Sequence, residues 1–231
     1  MTLNNNTLHA LPSHELLHLA EFVVDENFKH HTGTTTSADY QSDVISIYNE
    51  ELKYYKNSQV FVSKNHYGSI NGAIRVLRWN YKDILPIEKI FGIKPLQIVG
   101  ISPLKSIFHI GRFAINKEQS GIQLFKALMV SAIAPICQNK NSVAFAECDS
   151  KLLKILALLG IKTTIIGEPT MYLGSETIPV CMSHDGLIDF YRKNSHLIHK
   201  NSFSTQPNYN TLPQRVVFDN QADTTLTGSL N

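Results

Sequence analysis

Apolar and polar positions divide the first 200 residues into short elements whose period changes along the chain. Leu16, Leu19, Ala20 and Val23 recur at helical spacing behind Ser13, a residue type that caps helix N-termini. EFVVD at 21–25 fits a continuation of that helix or a strand, and periodicity alone leaves both open. Beyond the threonine- and glycine-rich turn HTGTTTSAD, Val44, Ile47, Tyr48, Leu52 and Tyr55 predict a second helix. The period then shortens to two. QVFVSK (59–64) and SINGAIRVLRW (69–79) flank the turn NHYG and predict a β-hairpin. A helical piece from Ile87 to Phe91 leads to a loop carrying Pro95 and Pro103. SIFHIGRFAI (106–115) and SVAFAE (142–147) are apolar on both faces, as interior strands are. Between them, Ile122, Phe125, Leu128, Met129 and Ala132 mark a substantial helix. Leu152, Leu153, Ile155, Leu156 and Leu159 predict an apolar helix closed by Gly160. TTIIG and ETIPVCM read as strands around the turn EPTMYLGS, and Leu187, Ile188, Phe190 and Tyr191 open a last helix.

This order predicts one α/β domain over residues 1–200, with no internal repeat and no linker. Residues 1–7 are polar. From Asn201 to Asn231 the chain turns to Asn, Ser, Thr, Gln and Pro, the composition of a flexible tail in which only RVVF (215–218) offers a docking segment. Hydrophobic residues make up 43% and charged residues 17%, which sets the chain among ordinary globular proteins. The net charge of +2 comes without a basic block or an aromatic stripe, so nucleic acid is not the expected partner. No apolar run reaches the roughly 20 residues that span a bilayer. The N-terminus lacks the basic and apolar regions of a secretory signal. Cys137, Cys148 and Cys181 are widely spaced and odd in number, which fits reduced thiols and a cytoplasmic location.

The chemistry concentrates at 106–115. Arg112 keeps its charge, so an interior position demands an acidic or anionic partner. Glu147 and Glu168 are the partners a purely structural role would use. His109 lies three residues earlier, and Gly111 between them marks a bulge or a close approach. HELLH, His14 to His18, fits the H-E-x-x-H zinc signature, but Glu21 and Val24 replace the glycine and histidine of its extended form. That mismatch favours a solvated helix face, and no metal is expected. No G-x-S-x-G element is present, so direct attack by a substrate amine is the simplest chemistry. Lys117 and Gly121 lie where a strand turns into a helix N-terminus, the kind of junction that cradles phosphate.

In combination these segments resemble the GNAT N-acyltransferase superfamily, in particular the branch of acyl-homoserine-lactone synthases and N-acyl amino acid synthases. SINGAIRVLRW resembles that branch's third strand, with its arginine at Arg75. HIGRFAI resembles the W-E-x-S-R-F-A-V strand, with its arginine at Arg112 and its phenylalanine at Phe113. LFKALMVSAI resembles the following helix, and DSKLLKILALLGIKTTIIGEPTMYLGSETIPV the later helix and the G-x-P-x-x-Y-x-G turn. The matches run in order over about residues 40–190. Two family positions differ: His109 replaces the glutamate and Phe108 the tryptophan. The Q/R-x-x-G-x-G/A cradle keeps Gly121 but carries Glu118 and Gln123 at its ends.

The resemblance implies a mixed, twisted sheet flanked by helices, whose central strands, here 106–115 and 142–147, splay to admit a pantetheine arm. It implies transfer of a fatty acyl group from an acyl-carrier-protein or acyl-coenzyme A thioester to a primary amine of an amino acid-like acceptor. His109 would be the general base, and backbone N–H groups of Phe113, Ala114 and Ile115 would hold the thioester oxyanion. Arg75 and Arg112 would bind an acceptor carboxylate or hold the site's shape. Lys117 and Gly121 would meet the donor's phosphates. An acetyl-coenzyme A-dependent N-acetyltransferase is the second reading, and a catalytically silent ligand- or partner-binding domain is the third.

Overall fold

A computed structural model describes residues 8–31, 40–100, 106–116, 121–173 and 175–198. The predicted terminal segments, Lys117 and RVVF lie outside them. Among the described residues one eight-stranded sheet forms. Its strands are β1 (Leu8–Ala10), β2 (Ser58–Lys64), β3 (Ile70–Arg78), β4 (Ser106–Ile115), β5 (Ser142–Cys148), β6 (Thr164–Ile165), β7 (Thr170–Tyr172) and β8 (Ser175–Ser183). The spatial order is β1-β2-β3-β4-β5-β8-β6, with β7 paired to β8. All neighbours are antiparallel except β4 and β5, which run parallel and are joined through the helix α5 (Ile122–Cys137). EFVVD is helical, inside α1 (Leu16–His31), because Val23 and Val24 continue its buried stripe. The predicted turn EPTMYLGS contains β7, a hairpin arm pairing Thr170 with Thr177 and Tyr172 with Ser175.

Side chains alternate between two covered faces. On one, α5, α6 (Ser150–Leu158) and α7 (His184–Asn194) bury Phe61, Ile74, Val76, Phe108, Ile110, Ala144 and Ala146. On the other, α1 and α2 (Tyr40–Tyr54) pack on Val60, Val62, Ala73 and Ala114. Further along this second face, Tyr54 at the end of α2, Leu85, and Ile87 of the short helix α3 (Pro86–Phe91), which a second short helix α4 (Pro95–Val99) follows, pack on Leu77, Ile107, Val143 and Phe145. The second-face core is thus two separate apolar clusters. What lies between them is charged.

Two departures from regular pairing position that charged layer. The β4–β5 ladder ends at Ile110 opposite Ala146. From there β4 continues to Ile115 along β3, while β5 continues along β8 to Cys148. The central strands therefore part where a donor arm was expected to enter. Against β3, the pairs Ala73–Ala114 and Arg75–Gly111 leave an extra residue on β4, a β-bulge that bends the strand at the parting point.

Candidate active site

The bulge places Arg112 at φ 55, a left-handed conformation that costs a side-chain-bearing residue about 1–2 kcal/mol. Gly111 supplies the close approach: a Cβ there would stand 3.1 Å from His109 Cε1 and 3.3 Å from Arg75 Nη2. The strain at Arg112 is held by two carboxylates of α2. Its Nε donates to Glu51 Oε1 at 2.7 Å, and its Nη2 donates to Glu50 Oε1. Arg75, from β3, donates through Nη1 to the same Glu51 oxygen and lies 3.5 Å from Glu50 Oε1. The Tyr54 ring covers the Arg75 guanidinium, 5.5 Å from Cζ to the ring centroid. Arg112 takes neither of its predicted partners, since Glu168 is exposed and Glu147 is engaged elsewhere.

Glu147 belongs to His109. His109 Nε2 lies 2.7 Å from Glu147 Oε1, and its Nδ1 lies 3.4 Å from Arg75 Nη2. The cluster therefore runs from Glu50 and Glu51 through Arg112 and Arg75 to His109 and Glu147, across α2, β3, β4 and β5. Burial is uneven along it. Arg75 is 0% exposed and His109 1%, whereas the Glu147 side chain is 12% exposed at the first β5 position beyond the last β4–β5 pair. Burial would raise the Glu50 pKa, but Arg112 and Arg75 outweigh it and hold the carboxyl below its ordinary range. For Arg112, burial pulls the pKa down and Glu51 and Glu50 more than restore it, so the guanidinium stays charged. Among the described residues, Glu51 Oε2 and Arg75 Nε are buried without a hydrogen-bond partner.

The structure brings the sequence candidates Arg75, Arg112 and His109 together on the paired strands β3 and β4, and adds Glu50 and Glu51, which sequence reasoning missed. A signal existed. The buried stripe of α2 is Val44, Ile47, Glu51 and Tyr54, so a carboxylate occupies an apolar position, while the predicted Leu52 and Tyr55 are exposed. Phe113, Ala114 and Ile115 follow the bulge along the edge that β5 leaves. Gly121 is the N-cap residue of α5, and a Cβ there would meet no atom within 4 Å, so its surroundings are open. The HELLH segment does not form one helical turn. His14 sits in a 3₁₀ turn with its side chain 79% exposed, and Glu15 pairs with Lys64 of β2. Among the described residues no three His, Cys, Asp or Glu side chains gather as a metal site. No helix among them is long and apolar enough to cross a membrane.

This chain's mixed sheet, with its one parallel pair parting beside a bulge, shares its overall fold with solved structures of GNAT enzymes, which superpose on it. FeeM, an N-acyl amino acid synthase from uncultured soil microbes, aligns with a TM-score of 0.56 at 13% identity, over 81% of this chain and 98% of its own. BjaI, a CoA-dependent acyl-homoserine lactone synthase solved with SAM and isopentyl-CoA, aligns at 0.52 and 14% identity, over 81% and 89%. A GNAT-family acetyltransferase from Staphylococcus aureus aligns at 0.50 and 12% identity, over 77% and 98%. No family model and no curated protein matches the chain by sequence. At such identities the likeness establishes the fold.

Proposed function

We propose that the chain is an N-acyltransferase that moves a fatty acyl group from an acyl-carrier-protein or acyl-coenzyme A thioester to the primary amine of an amino acid-like acceptor. The observation that carries this reading is the His109–Glu147 pair at the point where β4 and β5 part. A pantetheine arm entering between the strands brings its thioester to that point, and the pair accepts the proton the amine must lose. Backbone N–H groups of Phe113 to Ile115 stabilise the oxyanion. Lys117 and the α5 N-terminus at Gly121 receive the donor's phosphates. Arg75 and Arg112, both committed to Glu50 and Glu51, hold the site's shape; an acceptor carboxylate would have to displace one of those glutamates. The donor and the reduced Cys137, Cys148 and Cys181 suit the cytoplasm.

The test is incubation with long-chain acyl-carrier protein, long-chain acyl-coenzyme A and acetyl-coenzyme A, each with mixed amino acids, read by mass spectrometry. Long-chain N-acyl products support the proposal. Product from acetyl-coenzyme A alone supports an N-acetyltransferase, and no acylated amine from any mixture overturns both. One observation favours the silent-domain reading: His109 is walled in and Arg112 is sealed in ion pairs. Absence of product together with thermal stabilisation by an acyl thioester would support that reading.

A further inference from the structure

Resting on that proposed function, we infer that Glu147, not His109, takes the proton from the attacking amine, and that His109 is its positioning residue. Three observations converge on this division of labour. The first is access. His109 is 1% exposed, whereas Glu147 keeps 12% of its side chain open on the strand that has just left β4. His109 is the hydrogen-bond partner of Glu147 Oε1, which leaves Oε2 to accept from an incoming donor.

The second is tautomer. A guanidinium only donates, so Arg75 Nη2 at 3.4 Å from His109 Nδ1 is a favourable contact when Nδ1 carries a lone pair. The ring hydrogen then sits on Nε2 and is donated to Glu147. An imidazole in this state has no free basic nitrogen, and protonating Nδ1 would set a cation against Arg75. The third is the fixing of Arg75 itself. Its other amino group is held by Glu51, and Gly111 has no Cβ to come between Arg75 and the imidazole. The order Glu51, Arg75, His109, Glu147 thus leaves one partly exposed acceptor at its end.

The chemistry balances at that acceptor. The amine nitrogen forms a bond to the thioester carbonyl carbon, and its excess proton passes to the Glu147 carboxylate. Collapse of the adduct breaks the C–S bond, and the leaving thiolate takes that proton from Glu147. The products are an amide, a thiol and a regenerated carboxylate. His109 donates one hydrogen bond throughout and takes no part in the bond changes.

Four variants decide the matter, each assayed beside wild type with the donor and amine that give product and checked by circular dichroism. Glu147→Gln keeps an oxygen for His109 and is expected to lose about 10²–10⁴-fold in kcat. Glu147→Asp keeps a carboxylate one methylene short and should lose kcat with KM little changed. His109→Gln retains an N–H in the place of Nε2 and should stay closer to wild type than to Glu147→Gln. His109→Ala should fall between those two. Undiminished turnover in Glu147→Gln, or a His109→Gln protein as inactive as Glu147→Gln, would overturn the assignment while leaving acyl transfer intact. An inactive wild type would remove the proposed function and this inference together.

Discussion

Arg112 concentrates the logic of the site in one residue. Its backbone is strained by the bulge and its guanidinium is buried, and the same α2 carboxylates offset both costs. The two contributions separate experimentally. Arg112→Ala loses the ion pairs and keeps a Cβ in the left-handed region, whereas Arg112→Gly loses the ion pairs alone. Chemical denaturation should therefore find the glycine variant about 1 kcal/mol more stable than the alanine variant. Equal stabilities would mean that the bulge relaxes when the guanidinium leaves. Glu51 carries more, since one of its oxygens serves two arginines. Glu51→Gln leaves both guanidinia short of charge inside the protein, and urea denaturation should show a loss of about 3–5 kcal/mol.

At the scale of elements, legibility tracked how local the decisive interactions are. β4 and β5 were readable because an interior strand announces itself within a few residues by being apolar on both faces. The register of α2 was not. Tyr48, Leu52 and Tyr55 offered an apolar stripe as regular as the true one, and what selects Glu51 for burial is Arg75 and Arg112, 24 and 61 residues away. The parting of β4 and β5 was legible only through a family resemblance, because no local pattern marks where a ladder ends. Gly111 marks a bulge or a close approach by its sequence setting; the close approach is what it supplies, to His109 and Arg75, and the positive φ of the bulge falls on Arg112. Another glycine makes an element-scale prediction. Gly186, in the first turn of α7, would place a Cβ 2.7 Å from the Lys162 carbonyl oxygen, a backbone atom tied to this turn by Lys162 N donating to Gly186 O at 3.0 Å. Gly186→Ala must push α7 off that segment, and a destabilisation of about 1–3 kcal/mol is expected in thermal or urea unfolding. An unchanged midpoint would show that α7 is free to shift.

Across the whole molecule, the charged layer is the joint between the two apolar clusters of the second face, so its ionisation is coupled to global stability. β3 shows the arrangement along one strand, with Ala73 in one cluster, Arg75 in the charged layer and Leu77 in the other; α2 repeats it with Ile47, Glu51 and Tyr54. Glu50 gives the layer its pH response. Its folded pKa lies below the ordinary 4.5, with burial opposing and Arg112 and Arg75 prevailing. A carboxylate lowered in the folded state stabilises fully above the unfolded value of about 4.5, and that contribution is lost as pH falls through the folded value. Stability measured by urea denaturation should therefore be flat in this group's contribution from pH 7 to about 5 and fall below about 4.5. Glu50→Gln should be less stable at neutral pH by about 1–3 kcal/mol, because a charge-assisted acceptor is lost. It should also show a shallower acid limb, since one titrating carboxylate is gone. A variant that loses neutral stability but keeps the wild-type acid slope would place the pH response on other carboxylates, and α2 would then be held to the sheet chiefly through Glu51.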